Sequence, residues 1–213
     1  MPKSSQDFDL LAWIKENYLF IVILFLMMYL LFAFLAPVLM EFGYPHTSKL
    51  IYRIYSNLCH QYAYRSWFLF GEQAHYPIVR SNGALSLFDY FDVPQLEPEV
   101  SREIIGNATA GYKVAICQRD VALYSALLLF SIIFFLTKKR IKQLPFLLWV
   151  LLAVLPIGVD GLLQLASSSE LFSITYESTP LMRTVTGASF GFFSGWLLFP
   201  AIQHSITNEK SDR

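Results

Sequence analysis

Four long apolar stretches alternate along the chain with segments that hold most of its charged residues. The stretches cover about residues 18–40, 121–137, 144–166 and 181–203. The first has 23 residues without a charge. At ~1.5 Å per residue it is long enough to cross a hydrocarbon core of ~30 Å. The pattern therefore predicts four transmembrane helices.

A backbone that crosses lipid must satisfy its hydrogen bonds internally, as a helix does. We therefore expect an all-α membrane protein, a four-transmembrane-helix bundle in which residues 1–213 form a single integral membrane domain. The composition agrees, because 55% hydrophobic residues and a mean hydropathy of +0.45 exceed what an ordinary soluble domain carries. The lipid bilayer is the expected partner of its surface.

The placement of charge predicts the orientation. Lys138, Lys139, Arg140 and Lys142 directly follow the second span, and positive charges in a short connection mark the cytoplasmic side. Both termini are then cytoplasmic in a multi-pass protein of the cell membrane, and residues 41–120 are extracytoplasmic. Because the formal net charge is zero and no basic run is interleaved with aromatic residues, nucleic acid is not an expected partner.

The extracytoplasmic region is expected to contain an amphipathic helix from Thr47 to about Tyr64, because apolar residues recur there at helical spacing. The apolar residues 67–70 prolong this segment, which then lies on or dips into the bilayer without crossing it. Residues 88–98 are expected to form an irregular acidic loop. Residues 7–16 form either a short interfacial helix or an ordinary flank of the first span.

Two ionisable residues lie within apolar stretches, Asp160 near the end of the third and Arg183 near the start of the fourth. A charge at membrane depth is costly, so it faces a protein interior or a watery cavity and takes a partner. We expect Asp160 and Arg183 to pair. The pair either fixes only the helix register, or belongs to a pocket for an anion or headgroup in which Arg183 and Arg119 donate and Asp160 orients one of them.

Three glycines follow Arg183 at intervals of four residues, so that they share one helix face with it. They are Gly187, Gly191 and Gly195. Small residues at this spacing let a helix approach a neighbour closely, either within the bundle or in a homodimer. Their position on the same face as Arg183 favours packing inside the bundle.

On the predicted topology, the unusual polar residues converge at the extracytoplasmic ends of the spans. The candidate ligand-binding residues are Arg65, Arg119, Asp160, Gln164 and Arg183. The candidate metal-binding residues are Cys59, His60, Cys117 and Asp120. Thiolate, imidazole and carboxylate groups bind zinc and other transition metals, so such an ion is the cofactor that this second set would hold.

The two cysteines of the chain allow three interpretations. A Cys59–Cys117 disulfide would clip the loop to the mouth of the second span, and closing a loop of this length stabilises by ~4 kcal/mol in the chain-entropy model. Alternatively, the cysteines belong to a metal or redox-active thiol site, or they are unpaired structural thiols. The sequence leaves these alternatives open.

Five short motifs between residues 57 and 195 form an ordered set. They are Cys59-His60-Gln61, Arg65-Ser66-Trp67 with Gly71, Cys117-x-Arg119-Asp120, Asp160-Gly161-x-x-Gln164, and Arg183-x-x-Thr186-Gly187 with Gly191. The set resembles the DUF2085 family of uncharacterised prokaryotic integral membrane proteins. Many members have a further cysteine where this chain has Asp120, which leaves a one-carboxylate variant of a metal site or a disulfide. The resemblance implies a recurring polar site at the extracytoplasmic face, but it supplies no reaction.

Two functions fit these observations. In the first, a Cys/His/Arg/Asp site on the extracytoplasmic side binds a metal or a polar headgroup, and whether the protein is also an enzyme is left open. In the second, a disulfide-clipped structural or assembly subunit docks to other membrane proteins or to a second copy of itself. Transport is a weaker hypothesis, because no span carries a polar stripe from face to face.

Overall fold

The computed structural model describes residues 10–78, 83–91, 98–168 and 176–211. In chain order, the α-helices and strands of these residues are α1 (Leu10–Glu41), α2 (Pro45–Tyr55), β1 (Ser66–Leu69), α3 (Leu87–Phe91), α4 (Pro98–Glu103), β2 (Gly106–Asn107), β3 (Gly111–Cys117), α5 (Gln118–Leu136), α6 (Phe146–Trp149), α7 (Leu155–Ser168) and α8 (Pro180–Ser211), and a 3₁₀ helix, Ala63–Arg65, precedes β1. A π-helical stretch, Val150–Val154, joins α6 to α7, so that the two form one long helix.

Among the described residues, four helices are long and apolar enough to cross a bilayer, which confirms the prediction of a mainly helical, four-span membrane fold. They are α1, α5, the joined α6–α7 helix and α8. Many of their large apolar side chains lie on the surface of the chain, where Leu136 and Leu147 are 71% and 68% exposed. Exposed apolar surface of this extent is what lipid covers.

The first span is longer than the sequence predicts. It begins at Leu10, so residues 10–16 continue α1 and are a flank of the span, not a separate interfacial helix. With 32 residues, α1 is ~48 Å long and exceeds a bilayer core of ~30 Å. Its second half therefore also packs against extramembrane elements, where Ala33 and Ala36 are buried in a cluster with Tyr52.

The helices α5 and α8 approach each other closely at two glycines. A Cβ atom added to Gly187 would lie 2.4 Å from the Arg119 carbonyl oxygen, and one added to Gly191 would lie 2.0 Å from that of Leu123. Only glycine permits this approach. The same contact continues at Gly195, where an added Cβ atom would lie 3.1 Å from side-chain atoms of Leu127 and Phe130. The structure thus places the glycine stripe inside the bundle.

The extramembrane region contains a small sheet that the sequence analysis missed. Its order is β1–β3–β2, and both pairs of strands are antiparallel. Ser66 pairs with Cys117, and Phe68 with Lys113. The apolar residues 67–70, which were expected at the bilayer surface, lie mostly in β1, where Phe68 is buried in a separate aromatic core.

The amphipathic helix is present as α2, but it ends at Tyr55 and does not reach Tyr64. The side chains of Ser56 and Asn57 donate to the Arg53 carbonyl oxygen at 2.8 and 3.3 Å. Such local bonds offer the backbone an alternative to the next helical turn. The chain therefore leaves the helix here and is free to turn towards the sheet.

The acidic loop expected at residues 88–98 is helical at both ends. α3 is capped by Ser86, whose hydroxyl accepts a hydrogen bond from the Asp89 amide at 3.2 Å. α4 begins at Pro98. The part of the loop between them, residues 92–97, lies outside the described residues.

Candidate functional site

The direct junction of β3 and α5 positions a run of polar residues at one end of the bundle, which we call the sheet end. β3 ends at Cys117, and α5 begins at the next residue. Because no loop separates strand from helix, Gln118, Arg119 and Asp120 keep fixed positions in the first turn of α5. The sheet thereby connects one transmembrane helix to the extramembrane part of the site.

The segment that follows α2 is held against β3 by Gln61. The amide nitrogen of this side chain donates to the carbonyl oxygens of Tyr52 at 3.0 Å and Ala115 at 2.8 Å. Gln61 is buried, and its φ of 56° turns the backbone sharply. The Cys59 amide donates to the Tyr55 carbonyl at 2.9 Å. These bonds fix Cys59 next to the β3–α5 junction.

Lys113 holds the same segment from within β3. Its side chain is fully buried, and Nζ donates to the carbonyl oxygens of Gln61 and Arg102, both at 2.7 Å. Burial lowers the pKa of Lys113 to about 7, because the ammonium ion loses its hydration. The two hydrogen bonds match the two N–H groups of the neutral amine.

The side chains of Cys59, Cys117 and Asp120 form what we call the thiol–carboxylate cluster. Two Sγ atoms and one carboxylate oxygen lie within 4.8 Å of one another, and both thiols are free. The hydrogen bond between the thiols lowers the pKa of Cys59 and raises that of Cys117. His60 lies outside this cluster, and its ring stacks on Tyr62 with 5.4 Å between centroids. Three of the four candidate metal ligands are thus brought together.

The predicted pairing of Asp160 with Arg183 is wrong. Asp160 is 2% exposed, and its carboxylate accepts hydrogen bonds from Arg119 Nη2 and, at 2.7 Å, from the Tyr176 hydroxyl. Arg119 Nη2 also donates to Gln164 Oε1 at 3.1 Å. The arginine that pairs with Asp160 of α7 is therefore Arg119 of α5, and not Arg183 of α8 as predicted.

Arg183 is equally buried, at 3% exposure, and it pairs with Glu177. Its Nη1 donates to Gln118 Oε1 at 3.1 Å and to the Tyr64 carbonyl at 3.3 Å. The Glu177 carboxylate also accepts two hydrogen bonds from Arg65, each of 3.1 Å. The Glu177 carboxylate thus links Arg65, which follows the amphipathic helix, to Arg183, which lies at the start of the fourth span.

Glu177 also accepts a hydrogen bond from Gln164 Nε2 at 3.2 Å. Because Gln164 accepts a hydrogen bond from Arg119, this contact links the Arg119–Asp160 pair to Glu177 and its two arginines. The resulting arginine network consists of Arg65, Arg119, Asp160, Gln164, Glu177 and Arg183. Sequence reasoning missed Glu177 and Tyr176, which precede α8 without any motif. The available signal was weak: an acidic residue six positions before Arg183, just outside the span.

One cavity of about 260 Å³ brings the cluster and the network together. Eight of the nine sequence-predicted site residues line it; the exception is Asp160, which is buried and bonded to Arg119. The predicted residues on the wall are Cys59, His60, Arg65, Cys117, Arg119, Asp120, Gln164 and Arg183. The remaining lining residues are Leu58, Gln61 and Tyr62.

The fold and this cavity define a polytopic membrane protein with a polar site at one end of a four-helix bundle. Residues 107–197 match the family model DUF2085, described as a predicted membrane protein. The match confirms the resemblance over this part of the chain. It includes the motifs of Cys117, Asp160 and Arg183, whereas Cys59 lies before the matched segment.

One relative covers most of the chain. The chain is 27% identical over 192 residues to the uncharacterised protein MJ1492 of Methanocaldococcus jannaschii, with 87% of this chain and 92% of that protein covered. No solved structure matches the chain. The function must therefore be argued from the chemistry of the site.

Proposed function

We propose that this membrane protein binds a transition metal ion, Zn²⁺ or one with similar ligand preferences, at the sheet end of the bundle. The observation that carries the proposal is the thiol–carboxylate cluster. It holds three donor atoms within 4.8 Å on the wall of a cavity. Sulfur and carboxylate donors together suit zinc better than they suit magnesium or calcium.

The three ligand atoms of the cluster need to move only a short distance to reach the geometry of a zinc coordination sphere. Ligand atoms around a tetrahedral zinc ion with Zn–S distances of about 2.3 Å lie about 3.8 Å apart. The corresponding separations in the cluster reach at most 4.8 Å. Cys59 and Cys117 come from segments that are already held by hydrogen bonds and strand pairing. The cavity leaves room for a water molecule or a bound group as the fourth ligand.

The arginine network supports a second component of the site, an anionic group such as the phosphate or carboxylate of a polar headgroup. Arg119 Nε and Arg183 Nε are buried and have no hydrogen-bond acceptor among the described residues. Both side chains line the cavity, so an anion bound there would lie beside two guanidinium groups whose hydrogen-bonding capacity is not fully used. The network also holds three arginines against two carboxylates, which leaves an excess of one positive charge.

Titration of Co²⁺, a coloured stand-in for Zn²⁺, into the purified, reduced, metal-free protein tests the metal component. We expect one ion per chain, a thiolate-to-metal charge-transfer band, and displacement by Zn²⁺. The substitutions Cys59→Ser and Asp120→Asn should each weaken binding by roughly tenfold or more. The control His204→Gln, far from the cluster, should bind as the wild type does. Binding that survives the combined Cys59→Ser and Cys117→Ser substitutions would contradict the proposal.

The contact between the two thiols favours a second function. Their oxidation to a disulfide would tie the segment after α2 to the β3–α5 junction, with a stabilisation of ~4 kcal/mol in the chain-entropy model. The protein would then be a structural or assembly subunit of a larger membrane complex. Alkylation without reduction, followed by peptide mass mapping of Cys59 and Cys117, separates the two functions. A linked pair of peptides supports the clip, and two alkylated thiols support the metal site.

We place the sheet end on the extracytoplasmic side, with both termini in the cytoplasm. The support is the group of four positive charges in residues 138–142 at the opposite end. In a Cys59→Ser, Cys117→Ser background, Gln143→Cys should resist an impermeant thiol reagent in intact cells, whereas Asn107→Cys should react. The reverse labelling pattern would invert the topology.

A further inference from the structure

A second cavity, of about 390 Å³, lies at the other end of the bundle, which we call the loop end. It is formed between the connection of α5 to α6, residues 137–145, and the last turns of α8. The polar residues of its wall include Lys139, Arg140, Lys142, Gln203, His204 and Thr207. No function proposed for the sheet end involves this cavity.

Arg140 and Lys142 give the loop-end cavity its charge. Among the described residues, none of those lining it is an aspartate or a glutamate. Lys139 contributes less, because its Nζ donates to the Glu16 carbonyl at 3.3 Å and lies 4.9 Å from the centre of the Tyr18 ring. The described residues of the wall thus offer an anion one guanidinium and one ammonium group, with no carboxylate among them.

The connection that carries these charges is held in one conformation. Lys138 and Lys139 have φ angles of 53° and 59°, a left-handed geometry that is unfavourable for residues other than glycine. Trp196 Nε1 donates to the Lys142 carbonyl at 2.9 Å, and the Trp196 carbonyl accepts a hydrogen bond from the Leu144 amide at 3.5 Å. The cations are therefore presented by a turn that is anchored to α8.

Gln203 adds an amide group to the same wall. Its Oε1 is buried and has no donor among the described residues, while Nε2 lies 3.4 Å from the Thr207 hydroxyl. The second N–H of the Nε2 group is the donor that this side chain offers to an anion in the cavity.

Exposed apolar side chains flank the connection that lines the cavity. Leu136 ends α5 with 71% exposure, and Phe146 and Leu147 begin the next span with 67% and 68%. We propose that the loop-end cavity binds the phosphate of an anionic phospholipid, with Arg140 and Lys142 as donors and the acyl chains against these exposed side chains. The inference is independent of the metal site.

Native mass spectrometry of the full-length protein in detergent tests this binding, with phosphatidylglycerol and phosphatidylcholine of identical acyl chains as probes. Each cationic side chain near a lipid phosphate contributes about fivefold in affinity. Arg140→Gln combined with Lys142→Gln should therefore weaken phosphatidylglycerol binding by roughly 25-fold, and phosphatidylcholine binding by much less because the choline ammonium offsets the charge of its phosphate. The matched control, Lys49→Gln with Arg53→Gln on α2, removes two exposed cations at the sheet end and should change the affinity by less than about twofold.

Equal losses in the two double variants would overturn the proposal, because they would show attraction to net charge alone. Displacement of phosphatidylglycerol by millimolar inorganic phosphate would show that the cavity takes free phosphate, and would overturn the lipid assignment. If the first double variant does not fold, Lys142→Gln alone gives the same test, with an expected loss of about fivefold.

Discussion

The two ends of the bundle use the same kinds of charged residue in opposite ways. At the sheet end, Arg119 pairs with Asp160 and Arg183 pairs with Glu177. At the loop end, Arg140 and its basic neighbours line a cavity whose described residues include no carboxylate. The buried charges at the sheet end therefore form ion pairs within the protein, whereas the loop end presents its cations at the surface.

Solvation explains this difference. A buried charge must replace its lost hydration with a partner, and removal of that partner leaves an uncompensated ion. A cation at the level of the lipid headgroups keeps water or a lipid phosphate around it. Loss of a charge should consequently destabilise the fold at the sheet end and hardly affect it at the loop end.

The largest effect is expected from Asp160→Asn. The substitution keeps the shape of the side chain but leaves the Arg119 guanidinium without its anion, which should lower the free energy of unfolding by about 3–5 kcal/mol. Unfolding titrations in detergent measure this change. Asp120→Asn is the matched control, since Asp120 is less buried, and in metal-free protein it should lose less than about 1 kcal/mol. Equal losses for both variants would show that the ion pair with arginine does not distinguish Asp160 from Asp120, which forms no ion pair among the described residues.

The second-largest effect on stability is expected from pH, through the titration of Lys113. Its pKa is lowered to about 7 in the folded protein and is ~10.4 in the unfolded chain. Between these values the unfolded state binds more protons, so stability should rise with pH, by about 3 kcal/mol from pH 7 to pH 9.5. Thermal unfolding across this range should show a rising midpoint that Lys113→Met removes. The exposed-lysine control Lys49→Met should retain it, and a wild-type midpoint that falls instead would contradict a neutral Lys113.

A smaller loss of unfolding free energy is expected from Gly191→Ala. The new Cβ would lie 2.0 Å from the Leu123 carbonyl oxygen, so α5 and α8 must separate, at an expected cost of about 1–3 kcal/mol. Gly161→Ala is the control, because nothing lies within 4 Å of its Cβ position. Unfolding titrations should show that the control is as stable as the wild type or up to about 1 kcal/mol more stable. A neutral Gly191→Ala variant would show that the helices are not held together here.

The smallest effect should come from the loop end. Arg140→Gln with Lys142→Gln removes two charges that bind no described carboxylate, so the unfolding free energy of delipidated protein should stay within about 0.5 kcal/mol of wild type. The same unfolding titration provides the measurement. A loss above about 2 kcal/mol would mean that these cations also stabilise the fold, and the contrast between the two ends would fail.

The sequence predicted the membrane fold well and its extramembrane part poorly. Hydrophobic length is a local property, so the four spans follow from it directly. The sheet is not local, because Ser66 pairs with Cys117, 51 positions later, and β2 has only two residues. Strands this short carry no alternation that distinguishes them from loops or helix ends.

The site shows the same division between local and non-local information. By itself, the sequence predicted that Arg119, Asp160 and Arg183 lie at the sheet end, because each of them is near the end of an apolar block. Tertiary structure alone decided the partners: Arg119 and not Arg183 meets Asp160, Glu177 joins the network, and Lys113 becomes buried. Pairing depends on the rotation and spacing of neighbouring helices, which close contacts such as that of Gly191 with α5 set and which no single segment encodes.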